Sequence, residues 1–434
     1  MLRRSLVVLL LLPGTVVAQA RPDSGLLAEI NTIRAIDNHA HPSPAMPPGG
    51  IDEQMPVADS VPPLGPPVLL RPGNPQWIDA WRALYGYVAP GGVVDNARLI
   101  ATKNAIKREK GLGYPAWILD KLGIATMLAN RFTLGPGLTS PRFRLVWYGD
   151  PLLFPLNNES GKAANPQRRE DFNNAELWLK RYAAEEKLRV LPRTLDGYVA
   201  ELVVPLLEAK KKEGAVAVKF VAAYVRSLDF GNPAHEDAAR VYARYVNGDT
   251  PPAAEYKQLQ DFLFRRIAQE SGRLGLAVHI HVGAGAGPFF DNNGANPFLL
   301  LPVLLDPTMR GTNFVLIHGG FPFASATRVL FAKPNVYADF SSQGFLSSTR
   351  ELSQVIRSWI EVRPEKVMFG TDSYGLTHAI GWEEVGWLTA TSGRRALALA
   401  LTGMMDDGEI TRQRASEIAR LVMHDNAAAL YGLK

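Results

Sequence analysis

The chain has 434 residues, 47% of them hydrophobic and 21% charged, a globular composition with ample apolar side chain for a full core. A net charge of +5 is slight for that length, and no run of Lys or Arg exceeds the three at Lys210–Lys212, so charge does not point to a nucleic-acid partner. Cysteine is absent, so disulfides and thiolate ligands are excluded, and any metal must be held by His, carboxylate or modified Lys.

The N-terminus opens with the basic Met1-Leu2-Arg3-Arg4, runs through an apolar Ser5 to Leu12, breaks at Pro13-Gly14 and ends on Ala18-Gln19-Ala20. That pattern predicts a secretory signal peptide over 1–20 and a secreted or periplasmic protein, with an uncleaved N-terminal anchor as the alternative. The apolar run is too short to span a membrane comfortably. Residues 21–434 then form one domain, with no internal repeat and no linker.

Strand-length apolar runs follow in order: Ala35 to His41, Ile124 to Ala129, Phe143 to Tyr148, Ala215 to Val221, Leu276 to Val282, Asn313 to His318, Asn335 to Asp339 and Lys366 to Asp372. Between them lie amphipathic helices, among them Ala253 to Gly272, Arg350 to Val362 and Arg412 to Leu430. Eight strands alternating with helices predict a distorted TIM (β/α)8 barrel. Residues 42–73 are rich in Pro and Gly and carry little periodicity, which predicts an irregular insertion after strand one: a lid, or a tolerated loop.

Five of these strands end in a group able to bind a metal or move a proton. His39 and His41 are two apart on strand one and project from the same face, with Asp37 one step below. On strand five, Ala277, His279 and His281 share a face opposite Val278, Ile280 and Val282. His281 is placed nearer the rim, and His279 reads as a hydrogen-bonded core residue. His318 ends strand six beside Gly319-Gly320, and Asp372 ends strand eight. Lys219 on strand four faces inward, where an unpaired ammonium is costly. It can pair with a carboxylate, bind an anionic substrate, or form a carbamate that bridges a second metal. Tyr224 and Arg226 follow it, and Arg226 can grip a substrate carboxylate in bidentate fashion or sit on a surface loop. His378, on the strand-eight loop, is a further candidate substrate contact.

The motifs D-N-H-A-H at Asp37 to His41, H-I-H-V-G at His279 to Gly283, I-H-G-G at Ile317 to Gly320 and F-G-T-D-S at Phe369 to Ser373 resemble the amidohydrolase superfamily, in its amidohydrolase-related (type 2) branch. The ending from His424 to Leu433 is similar to the branch's usual close, and Val218 to Arg226 is similar to members fused to, or related to, glutamine-synthetase-like proteins. The resemblance implies metal ligands His39, His41, His281 and Asp372. It gives His318 the polarising or second-metal role of the strand-six histidine. It further implies a divalent metal, zinc foremost, as one ion or two. The expected activity is hydrolysis of an amide, ester or lactone bond of a small molecule, with Asp372 as proton acceptor and His318 stabilising the oxyanion. Metal-dependent decarboxylation of an unsaturated or aromatic acid is the rival enzyme reading, and a non-catalytic metal- or ligand-binding protein the third. A homo-oligomer is compatible with all of these.

Overall fold

The computed structural model describes residues 21–46, 52, 67–287 and 289–433. The signal peptide expected over 1–20 lies outside the described residues, as does most of the expected insertion. The chain builds eight strands: β1 (Ala35–Ala40), β2 (Ile124–Arg131), β3 (Phe143–Tyr148), β4 (Ala217–Phe220), β5 (Ala277–His281), β6 (Phe314–Ile317), β7 (Val336–Asp339) and β8 (Val367–Met368). Each pairs in parallel with the next, in sequence order.

Closure between β8 and β1 is carried by separate backbone bonds rather than a regular ladder. Asn38 N donates to Phe369 O at 3.0 Å, Asp372 N to His39 O at 2.7 Å and His41 N to Ser373 O at 2.8 Å. The expected TIM barrel is therefore present, and this seam is its distortion. It also explains why β8 is shorter than the apolar run from Lys366 to Asp372: residues 369–373 spend their backbone groups on the seam.

Inside the barrel, Ile36, Leu128, Val146, Ala217, Ala277, Val315, Ile317 and Met368 form one apolar layer. Tyr431, Leu430 and Leu433, from the C-terminal helix Asn426–Tyr431 and the residues after it, pack against that layer. Val278, Ile280 and Val282 instead join the outer core beneath the helices, as the alternation on strand five predicts. Trp147 and Trp359 are fully buried in that outer core, each contributing roughly 2–3 kcal/mol of apolar burial.

The helices Ala253–Arg273 and Thr349–Ile360 match their predicted positions to within two residues. The helix expected over Arg412 to Leu430 is broken into Arg412–Arg420, a π-turn at Leu421–Asp425, and Asn426–Tyr431. There the Val422 carbonyl accepts from Phe369 N at 3.0 Å, so the wide turn ties the C-terminal segment to the barrel seam. The β1–β2 crossover extends well past Gly73. Its helices Gln76–Tyr85, Asn96–Lys110 and Tyr114–Leu122 share a satellite core, including Trp77, Trp81 and Ile118, with the long helix Trp382–Asp406. Among the described residues no helix is long and apolar enough to cross a membrane.

Candidate metal centre and its supporting network

The strand ends deliver their polar side chains to one place. His39 and His41 leave β1 on the same side, their rings 4.9 Å apart, and both Nε2 atoms approach Asp372 Oδ1, at 3.3 and 3.2 Å. His318 follows β6 with its ring 4.9 Å from His39 and 4.7 Å from His281. Donor atoms of His39, His318 and Asp372 all lie within 4.8 Å of one another, so His318 takes a place in the tightest donor set. Its expected role was either to polarise the substrate and stabilise the oxyanion or to contact a second metal. His281 presents Nδ1 to His318 Nε2 at 3.2 Å.

The backbone is strained where these groups converge. Only four non-glycine residues of the described chain have a left-handed φ, and three are His318 (66°), Ser342 (62°) and Asp372 (53°). Such conformations cost about 1–3 kcal/mol each and persist only when neighbours enforce them. One enforcing contact is sterically explicit. Gly319 sits at φ 55°, and a Cβ there would meet Trp359 at 1.9 Å, so no other residue lets the β6 end turn this closely.

A carboxylate overlooked in the sequence supplies the rest. Asp339 ends β7 fully buried; its Oδ1 accepts from His318 N at 2.9 Å, Ser341 N at 3.1 Å and Ser341 Oγ at 2.6 Å, while Oδ2 accepts from Asn38 Nδ2 at 2.6 Å. Asn38 Oδ1 in turn accepts from Tyr431 Oη, which contacts His279 Nε2 at 2.8 Å. His279 is thus the hydrogen-bonded core histidine anticipated from its depth. Asp37, also fully buried, accepts from Thr371 N at 2.9 Å and Thr371 Oγ1 at 2.6 Å, pinning β1 to the seam. Strand seven ends on its acid just as strand eight does, and that parallel was the signal available for Asp339.

The hydroxyls fix a tautomer. Ser341 Oγ donates to Asp339 and Ser342 Oγ to Asp372 Oδ2, yet both oxygens also lie at His318 Nδ1, 2.9 and 2.8 Å away. Nδ1 must therefore carry the proton and donate to them, which leaves the lone pair on Nε2. Burial holds the pKa of His39, His281 and His318 well below the usual imidazole range, reinforced in each case by the Lys219 charge. Burial alone would raise Asp372, but the facing His318 and hydrogen bonds from His39 and His41 outweigh it and hold the carboxyl well below its ordinary value. Neutral imidazoles beside an ionised carboxylate are the donor set that zinc and similar cations select. His281 Nε2 is buried without a hydrogen-bond partner among the described residues, in keeping with a nitrogen free for coordination. The residues present fit a divalent ion.

Lys219 is buried on β4 in register with His279, and its field reaches Asp339 and the site histidines. Tyr224 enters the site: its ring lies 4.7 Å from that of His281, and its hydroxyl accepts from Ala286 N at 3.3 Å. Two expected substrate contacts do not. The turn at Ala222–Tyr224 swings Arg226 toward the helix Ala253–Arg273, where its guanidinium meets Asp261 Oδ1 at 2.6 Å and Gln260 Oε1 at 3.0 Å. His378 is exposed and lines a different cavity, beside Lys107 and Glu383. The cavity over these donor groups measures about 690 Å3 including its open mouth, bordered by His41, His281, His318 and Asp372.

Comparison with known proteins gives this geometry a context. Residues 168–433 match the family model described as Amidohydrolase. Over 233 residues, 50% of the chain, it is 24% identical to Protein fluG of Emericella nidulans; the match spans only 26% of that longer relative. A structure from Lactobacillus casei, assigned as a metal-dependent hydrolase, superposes with a TM-score of 0.64 at 15% identity, covering 95% of this chain and 98% of that one. The uronate isomerase of Thermotoga maritima follows at 0.57 and 14%, covering 84% and 79%. Glucuronate isomerase from Caulobacter crescentus stands at 0.55 and 14%, covering 94% and 93%. At these identities the structures speak to the fold.

Proposed function

The chain belongs to the amidohydrolase family and is an enzyme, and on that premise we propose that it is a metal-dependent hydrolase acting on an amide, ester or lactone bond of a small molecule. His39, His41, His281, His318 and Asp372 would hold one or two divalent ions, with zinc the best match to a donor set of imidazoles and one carboxylate. A divalent ion bound there supplies Lewis acidity, polarising a carbonyl and bringing the pKa of water toward neutrality.

The carrying observation is the setting of Asp372. Its carboxylate is held ionised by three histidines, oriented by Ser342, and still reaches the cavity wall. Such a group accepts a proton from an attacking water and returns it to the leaving group. His318, neutral with its lone pair on Nε2, has its ring position set by Ser341, Ser342 and Asp339. The decarboxylase reading relied on Arg226 as a carboxylate grip, and that side chain is engaged by Asp261 instead. Replacing Asp372 by Asn is expected to abolish turnover while most of the metal remains bound. Wild-type kcat in that variant, measured alongside metal content, would remove Asp372 from this role.

A further inference from the structure

Apart from the donor groups and Ser342, the described wall of the cavity is uncharged and carries four large apolar or aromatic side chains. Tyr224, Phe345, Leu346 and Tyr374 face it, with the Phe345 and Tyr374 rings 6.0 Å apart and edge-on. Phe290 packs on Tyr224 at 5.1 Å and on His281 at 6.0 Å, extending the aromatic surface.

Cations are accounted for elsewhere. The segment from His41 to Leu70 contains no Lys or Arg, and neither do residues 283–296, 319–323 or 374–381, which follow β5, β6 and β8. Arg131, the last residue of β2, is fully buried in a two-point pairing with Asp52, at 2.7 and 2.6 Å. Arg226, after β4, is held by Asp261. Arg168 stacks over the Tyr224 ring at 4.7 Å but is bonded to the Ala286 carbonyl, with Asp171 at 3.8 Å. Lys219 lies on β4 itself, 1% exposed, and does not border the cavity.

Taking the hydrolase reading as its basis, we infer that the substrate carries an uncharged aromatic or branched apolar group beside its reacting carbonyl, seated against Tyr224, Phe345, Leu346 and Tyr374. A sugar acid or dicarboxylate would set a second carboxylate on a wall where no cation among the described residues receives it, and burying an unpaired carboxylate is strongly unfavourable.

The test uses hydroxamates, which chelate a bound metal without being turned over, titrated by calorimetry into the full-length, zinc-loaded protein. Benzohydroxamate is expected to bind at least about 10-fold more tightly than acetohydroxamate, and about 100-fold more tightly than 4-carboxybenzohydroxamate. Leu346→Arg, with zinc content checked to confirm an intact centre, is expected to reverse the second preference. Equal or tighter binding of the carboxylated probe by the wild-type protein would overturn the inference. If no hydroxamate binds the loaded protein, this inference falls together with the metal-site reading. A clear preference for benzohydroxamate in a protein that hydrolyses no aryl amide, ester or lactone supports the inference and overturns only the choice of reaction.

Discussion

Replacing Asp339 by Ala would strip the acceptor from four donors at once: His318 N, Ser341 N and Ser341 Oγ on one oxygen, and Asn38 Nδ2 on the other. Each buried donor left unpaired costs about 1–3 kcal/mol. The Ser341 hydroxyl can rotate toward another acceptor, and costs within one network do not add, so the expected loss is about 3–5 kcal/mol. The same bonds hold His318 in its left-handed conformation, and releasing that strain lets the imidazole leave the donor set. Metal affinity should fall about 10–100-fold, the usual effect of removing a group that orients a ligand. Asp339→Asn is the graded control. It keeps the oxygen facing His318 and Ser341 but sets an NH2 against the NH2 of Asn38, whose own oxygen is committed to Tyr431. Its expected cost is smaller, about 1–3 kcal/mol. Urea unfolding of the metal-free proteins followed by tryptophan fluorescence, together with zinc binding by equilibrium dialysis, measures both effects. An Ala variant within 1 kcal/mol of wild type that binds zinc with unchanged affinity would refute the claim that this carboxylate holds the site together.

The pH dependence of the metal-free fold follows from the buried histidines. His39, His279, His281 and His318 all have folded pKa values depressed below 6.5 by burial. Their contribution is complete above pH 6.5 and is lost as pH falls from there through the folded values, because the unfolded chain takes up the protons first. Asp37 works the other way: burial pushes it up to about 7, so its contribution is lost as pH rises through that value. Asp37→Asn should therefore steepen the loss of stability on acidification between pH 7 and 5; an unchanged slope of urea midpoint against pH would contradict this. Gly319→Ala, with Trp359 at 1.9 Å from the new Cβ, should cost about 2–4 kcal/mol and lower zinc occupancy through the adjacent His318, read by unfolding and metal analysis. Arg226→Ala should leave KM within about threefold of wild type while lowering stability by about 1–3 kcal/mol, because Lys257 remains 2.6 Å from Asp261. A large KM increase with unchanged stability would return Arg226 to the substrate.

What could be read from the chain was whatever obeys a short period. Alternation placed His39 with His41 and turned His279 and His281 inward against Val278 and Ile280, because a strand's two faces are set by its own residues. The rim position of His318 and Asp372 followed from each being the first titratable residue after a strand-length run. Arg226 stayed undecided between substrate and loop for the complementary reason. Seven residues beyond Lys219 the chain is no longer a strand, and the turn at Ala222–Tyr224 sends Tyr224 and Arg226 to different sides, which no periodicity predicts. The β1–β2 crossover escaped notice because its helix Asn96–Lys110 buries only Leu99 and Lys103 and so carries little amphipathic pattern. The network through Asp339 was hidden by distance along the chain. Asn38, Asp339 and Tyr431 stand on β1, β7 and the C-terminal helix, and only closure of the barrel brings them together. The same closure gives the network its purpose. A donor set spread over four strand ends, two of its members at positive φ, has no local sequence to hold it, so its geometry depends on buried acids that tie strand ends to one another.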